Sequence, residues 1–328
     1  MKIRVLTPAG LDSPKSSHCD GGLRCIANRR SGGYGTAFLR VGLSVIMLLT
    51  YAWNVPVLEQ LFGPFAQLSY NNYLYSTPAT PLALYRYSSN PMYIVVLYGL
   101  SMAISGAYAL GVMPRIMCWL FALTTFSMQN RIWYGVDAGQ SLVVLLSFLL
   151  CLVDTSVKFT LFHRQVSSTR NVCRALTVLH NGGRFLISWQ ICMVYFWSTF
   201  YKLQGTEWRH GTAMHYVWQL EPFMPFATLS HFLSNSSVAV TLATSGTVLL
   251  QASFVILMWN RRTKPWVIGA VILLHLGIAV LMNLFLFSLT VIVADLSLLS
   301  DAQFSAVGRM LGPRLRTRQR KLKNPDLV

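Results

Sequence analysis

The apolar run from residue 265 to residue 300 constrains this chain more than any other feature. A helix that crosses a bilayer needs about 20 apolar residues, with a range of roughly 17 to 25. The run is too long for one such helix, and it divides most naturally near Asn283. The second half is short and reads either as a span or as a re-entrant hairpin. Six further apolar runs lie at 37–53, 92–110, 114–128, 138–157, 184–202 and 237–259. The chain therefore reads as all-α: a polytopic integral membrane helix bundle of about eight spans.

Composition narrows the class in the same direction. Of 328 residues, 54% are hydrophobic and 11% are charged, against about 25% charged in an ordinary soluble domain. Mean hydropathy is +0.48. These figures exclude a soluble enzyme, a disordered chain and a nucleic-acid module.

Charge then orients the spans. The formal net charge is +17, from 27 Lys and Arg against 10 Asp and Glu. If both termini are cytoplasmic and the spans alternate, 22 basic residues fall inside and four fall outside. The four are Arg86, Arg131, Lys202 and Arg209. That is the asymmetry of a multi-pass protein of the cell membrane. The tail RLRTRQRKLK then lies against anionic headgroups, at roughly 1 kcal/mol per basic residue; RNA binding is the lesser reading of that tail. Three parts follow. Residues 1–36 form a polar, Gly- and Ser-containing cytoplasmic segment expected to be disordered. Residues 37–300 form the transmembrane domain, and residues 301–328 the basic cytoplasmic tail. Nothing in 1–36 reads as a cleavable signal peptide, so span 1 is expected to act as an uncleaved anchor.

The six cysteines form no disulfide framework. His18-Cys19 with Cys25 has the look of half a metal site, but the spacing fits no zinc pattern, and no metal is expected. There is no internal repeat and no phosphate-binding loop of the ATPase kind.

Polar residues inside hydrocarbon are costly, so the few that occur are informative. In 184–202 they form a stripe, Ser188, Cys192, Tyr195, Thr199 and Lys202, at steps of 4, 3, 4 and 3. That is one helix face, expected to look into the bundle. Lys202 ends the stripe at the outer mouth, either snorkelling to the headgroups or lining a pocket. The segment that follows carries Glu207, Trp208, His210 and His215, close enough in sequence to shift or exchange the Lys202 proton. The pair His210 and His215 is too poorly spaced to chelate.

A second stripe, in 138–157, is led by Asp137 and Gln140 and continues through Ser147, Cys151 and Asp154. The loop before it holds Asn130 and Arg131. Arg131 and Asp137 are expected either to line the mouth shared with Lys202 or to pair structurally. His275 lies near mid-membrane, which makes it a functional candidate or a neutral interhelix partner. Thr244, Thr247 and Gln251 read as interhelical hydrogen-bonders. Asp295, near the inner face, is expected to pair with Arg261, Arg262 or Lys264.

Segment 195–216, YFWSTFYKLQGTEWRHGTAMHY, resembles the signature of the HTTM family, the horizontally transferred transmembrane domain. That family includes the membrane part of vitamin K-dependent gamma-carboxylase. The matching features are an aromatic-rich helix, Lys202-Leu203, Trp208, and Gly211-Thr212. NRIWYGVDAGQSLVVLLSFLL and HLGIAVLMNLFLFSLTVIVADLSLLS are similar to two further family segments, and the resemblance covers roughly 36–300. The length also fits short bacterial members of the sporulation-delaying-protein type, which are implicated in maturing a secreted peptide.

The resemblance implies several things. Lys202 takes the place of a lysine that deprotonates reduced vitamin K, and His275 that of a late-helix histidine. The cofactor is then a reduced quinone of the menaquinone or vitamin K type, and the activity is carboxylase-like (a lyase) or otherwise quinol-dependent. The family's paired lysines are Tyr201-Lys202 here, and the spacer before Trp208 is one residue longer. The carboxylase's large lumenal portion has no counterpart in the chain, so carboxylation of glutamate is not expected to carry over. The leading reading is thus an outward-facing pocket acting on a quinone or a secreted peptide. Two others stand beside it: a non-catalytic factor that docks a peptide through the outer segment 54–91, and a small-solute transporter, against which the lack of repeats speaks. Membrane lipids are partners in every case, and a nucleic acid in none of them; the oligomeric state is left open.

Overall fold

A computed structural model describes residues 32–63, 66–156, 159–160 and 170–306, the side chains of 170–173 excepted. The N-terminal segment with His18, Cys19 and Cys25, the Cys173 side chain and most of the basic tail lie outside the described residues.

Among the described residues every regular element is helical. The long helices are α1 (Gly33–Asn54), α4 (Pro91–Leu110), α5 (Pro114–Arg131), α6 (Ala138–Leu150), α7 (Arg170–Gln204), α11 (Ser237–Leu257), α12 (Lys264–Leu281) and α13 (Phe285–Ser297). Short helices on the connecting segments are α2 (Leu58–Phe62), α3 (Tyr70–Ser76), α8 (Thr206–Arg209), α9 (Ala213–Val217) and α10 (Ala227–Asn235). Each of the eight expected runs coincides with one long helix. Among the described residues, four segments are long and apolar enough to cross a membrane: Gly33–Phe62, α4, α11 and α12. The protein is an all-α membrane helix bundle.

Local chemistry sets the boundaries. Pro91 begins α4, where the Asn90 side chain accepts from the Met92 amide at 2.9 Å. Such a cap satisfies one of the amides a helix start leaves open. Asp137 caps α6 in the same way, its Oδ1 accepting from the Gln140 amide at 2.7 Å. The turn between α12 and α13 falls at Asn283, which takes a left-handed φ of 56°. Asn tolerates that conformation better than most residues, and the long apolar run breaks there as its sequence suggested.

Helices α6 and α7 differ from expectation in length: α6 stops at Leu150 after 13 residues, short of the expected run 138–157. Helix α7 has 35 residues, about 52 Å at 1.5 Å per residue. Its first turns therefore precede the apolar run at 184, in a stretch whose basic residues suggested a loop. Helix α13 has only 13 residues, about 20 Å, less than the roughly 30 Å of hydrocarbon. It is nevertheless central, packed against α1, α6 and α12. Glycines admit it. A Cβ on Gly42 of α1 would stand 2.3 Å from Val293 Cγ1, and one on Gly139 of α6 would stand 2.8 Å from the Phe287 Cα. Small residues let membrane helices approach at backbone distance.

The buried charge within α1 is also settled locally. Arg40, fully buried, donates to the carbonyls of Tyr108, at 3.1 Å, and Phe159. At the same end of the bundle Arg115 and Asp154 form an ion pair at 3.3 Å.

Candidate functional site

Helix α7 presents two unlike faces. Cys192, Tyr195 and Thr199 are buried and Lys202 is half-buried, whereas Phe196, Trp197, Phe200 and Tyr201 are exposed. The polar stripe thus faces inward, and the aromatic face is left for lipid. Opposite the stripe, α11 and α12 close a cavity of about 630 Å³. Lys202 and Ser198 line it from α7, Trp208 from α8, Trp218 from just past α9, Gln251 from α11 and His275 from α12. The remaining wall is apolar apart from Thr247, and it includes Gly246, Ala270 and Leu273, which are exposed. The cavity is therefore open to the surface along α11 and α12, two of the helices apolar enough to cross a membrane.

Lys202 is held in this space by neutral groups. Its Nζ donates to Ser198 Oγ at 2.6 Å, and Ser198 Oγ donates to Gln251 Oε1 at 3.2 Å. The ammonium lies 5.1 Å from the Trp208 ring centroid, where the ring's negative face favours a cation. Below it, the Tyr195 hydroxyl donates to Asp295 Oδ2 at 2.6 Å and lies 3.4 Å from His275 Nε2. His275 Nδ1 and Trp218 Nε1 are buried on the cavity wall without a hydrogen-bond partner. Thr199 Oγ1 is likewise buried and unpaired.

Several expected members stand elsewhere. Glu207 is exposed, and its Oε2 accepts from Thr212 Oγ1 at 2.6 Å. It makes no ion pair with Lys202, because the turn after Gly205 carries it around α8 and away from the cavity. His210 is exposed on the same turn and is absent from the cavity wall. His215 Nδ1 donates to the Ser234 carbonyl at 2.7 Å, tying α9 to α10. The three residues adjacent to Lys202 in sequence are thus not its neighbours in the cavity, whereas Trp208 is.

Asn130, Arg131, Asp137 and Gln140 stand apart from this cavity. Arg131 is buried, donates to the Leu68 carbonyl at 3.0 Å, and lies 5.6 Å and 5.1 Å from the rings of Phe62 and Tyr73. The Tyr73 hydroxyl donates to Asn130 Oδ1 at 2.7 Å. Burial lowers the Arg131 pKa from its ordinary value and raises that of Tyr73. The expected Arg131–Asp137 pair is not formed: Asp137 is engaged as the cap of α6, whose Gln140 amide it holds. None of the four lines the Lys202 cavity. Asp295 also departs from expectation. Its partner is Tyr195, not a basic residue at the inner face, and Lys264 Nζ instead donates to the Leu298 carbonyl at 3.1 Å.

Three cavity residues were within reach of the sequence: Ser198, Gln251 and Thr247, the last read only as an interhelical hydrogen-bonder. Ser198 lies four residues before Lys202 and three after Tyr195, on the same face of α7, and completes the stripe. Gln251 was read only as an interhelical hydrogen-bonder; it is one, to Ser198, and it also lines the cavity.

Comparison with known proteins agrees with this architecture. The family model for the HTTM domain matches residues 38–302. The uncharacterized protein YitO of Bacillus subtilis strain 168 is 27% identical over 293 residues, covering 85% of this chain and 89% of its own. No solved structure matches the chain.

Proposed function

The chain belongs to the HTTM family, and from that premise we propose that its cavity takes up a lipid-soluble molecule with an ionisable hydroxyl. The class that fits is a reduced quinone of the menaquinone or vitamin K type, used in the modification or maturation of a secreted peptide. One observation carries this reading: Lys202 and His275 line the same apolar cavity. The walls suit a ring and a hydrocarbon tail, and the unpartnered His275 Nδ1 and Trp218 Nε1 suit its oxygens. A quinol supplies reducing power and an acidic hydroxyl. Lys202 Nζ takes or holds a proton at the outer end, and Ser198 fixes where that nitrogen points.

Substitution at Lys202 tests the assignment. Lys202→Arg keeps the charge and the reach but does not give up a proton under ordinary conditions. Lys202→Ala removes both. A base fails equally in the two variants, read as peptide maturation in cells with expression and insertion normal. Full function in Lys202→Arg refutes the base. It leaves the second reading, a non-catalytic docking factor, which segment 54–91 favours: Tyr75 and Tyr87 are 95% and 63% exposed.

A further inference from the structure

Behind the cavity lies a line of three polar side chains drawn from three helices. Asp295 of α13 is completely buried, Tyr195 of α7 and His275 of α12 nearly so. The Tyr195 hydroxyl donates to Asp295 Oδ2 at 2.6 Å. Its oxygen is then free to accept, and His275 Nε2 stands 3.4 Å away. That arrangement assigns the imidazole hydrogen to Nε2 and leaves the lone pair on Nδ1. Nδ1 is the buried atom without a partner, on a ring that lines the cavity.

We propose that Tyr195 and Asp295 are positioning residues that join His275 to a buried proton acceptor, so that the cavity exchanges a proton with Asp295 through His275 and Tyr195. The inference rests on the reading that the cavity takes a hydroxyl-bearing apolar molecule. The step balances without an oxidant or a reductant. A ligand O–H breaks as Nδ1–H forms. The Nε2 proton passes to the Tyr195 oxygen, and the proton Tyr195 already held passes to Asp295 Oδ2. The negative charge leaves the carboxylate and appears on the ligand oxygen, in the cavity that Lys202 also lines. The titratable side chains facing the line are Cys192, beside Asp295, and Lys202, on the His275 side.

The test uses the full chain in phosphatidylcholine nanodiscs with two probes. One is 4-nitrophenol, whose ionised form absorbs visible light; the other is nitrobenzene, the same ring without the hydroxyl. Wild type is expected to bind both and to favour the ionised phenol over its free proportion. Tyr195→Phe and Asp295→Asn should lower the ionised-to-neutral ratio of bound nitrophenol about tenfold and leave nitrobenzene binding unchanged. An unchanged ratio in both variants overturns the relay, and so does nitrobenzene binding that falls in step with it, which marks a structural role. A wild type that binds nitrophenol without ionising it overturns the relay alone. A wild type that binds neither probe overturns the cavity reading, and the relay falls with it. If Asp295→Asn does not insert, Tyr195→Phe, which deletes a single oxygen, decides the matter.

Discussion

The Arg131 guanidinium lies 5.1 Å from the centroid of the Tyr73 ring. Arg131 and Asp137, six residues apart, were natural partners by charge, yet each is engaged by something else. A buried guanidinium between two rings gains about 2 kcal/mol from cation–π attraction once desolvated. Arg131→Ala should therefore cost about 2 kcal/mol in thermal or denaturant unfolding. Asp137→Asn, which preserves the cap, should cost almost nothing. The double variant should be additive within about 0.5 kcal/mol. A coupling energy above that would restore the ion pair.

The approach of α1 to α13 gives a second prediction. A Cβ at Gly42 meets Val293 Cγ1 at 2.3 Å, and a valine side chain has little freedom to move aside. Gly42→Ala should destabilise the bundle by roughly 1–3 kcal/mol through overpacking. Gly106 of α4 has no atom within 4 Å of a built Cβ. Gly106→Ala should instead gain up to about 1 kcal/mol from helix propensity. Equal effects of the two substitutions would mean that the contact with α13 is not what fixes Gly42.

Ser198 should hold the Lys202 amine in place. Removing its hydroxyl in Ser198→Ala takes away the acceptor at 2.6 Å and leaves the ammonium only the face of Trp208. Labelling of Lys202 by an acylating reagent, followed by mass spectrometry, should then proceed faster than in wild type. An unchanged rate would show that Trp208 alone positions the amine.

Topology is open to direct measurement. Fusions of a reporter active only outside the cytoplasm should give signal at residue 220 and none at Val328. The reverse pattern would remove the eight-span arrangement with both ends inside, and with it the outward orientation of the Lys202 mouth.

The sequence carried the helices well because apolar length and the 3.6-residue period are local properties. The break at Asn283 and the inward face of α7 could be read for that reason. It carried the partners poorly, because partners are set by which helices touch. Glu207 follows Lys202 by five positions yet turns away after Gly205, while Asp295, a hundred positions from Tyr195, meets it directly. Arg131 paired with rings from α2 and α3, where no rule based on charge alone would have sent it. The central position of α13 was also hidden. Its shortness left it either a span or a re-entrant hairpin, and the glycines of α1 and α6 show how it fits inside.

The opening along α11 and α12, where Leu273 is 72% exposed while lining the cavity, changes what concentration means for this protein. A molecule that enters there arrives from hydrocarbon, so occupancy follows its mole fraction in the bilayer and not its amount in water. Adding empty lipid at fixed total ligand would then empty the cavity, and two membranes of different lipid content would report different affinities for the same binding event.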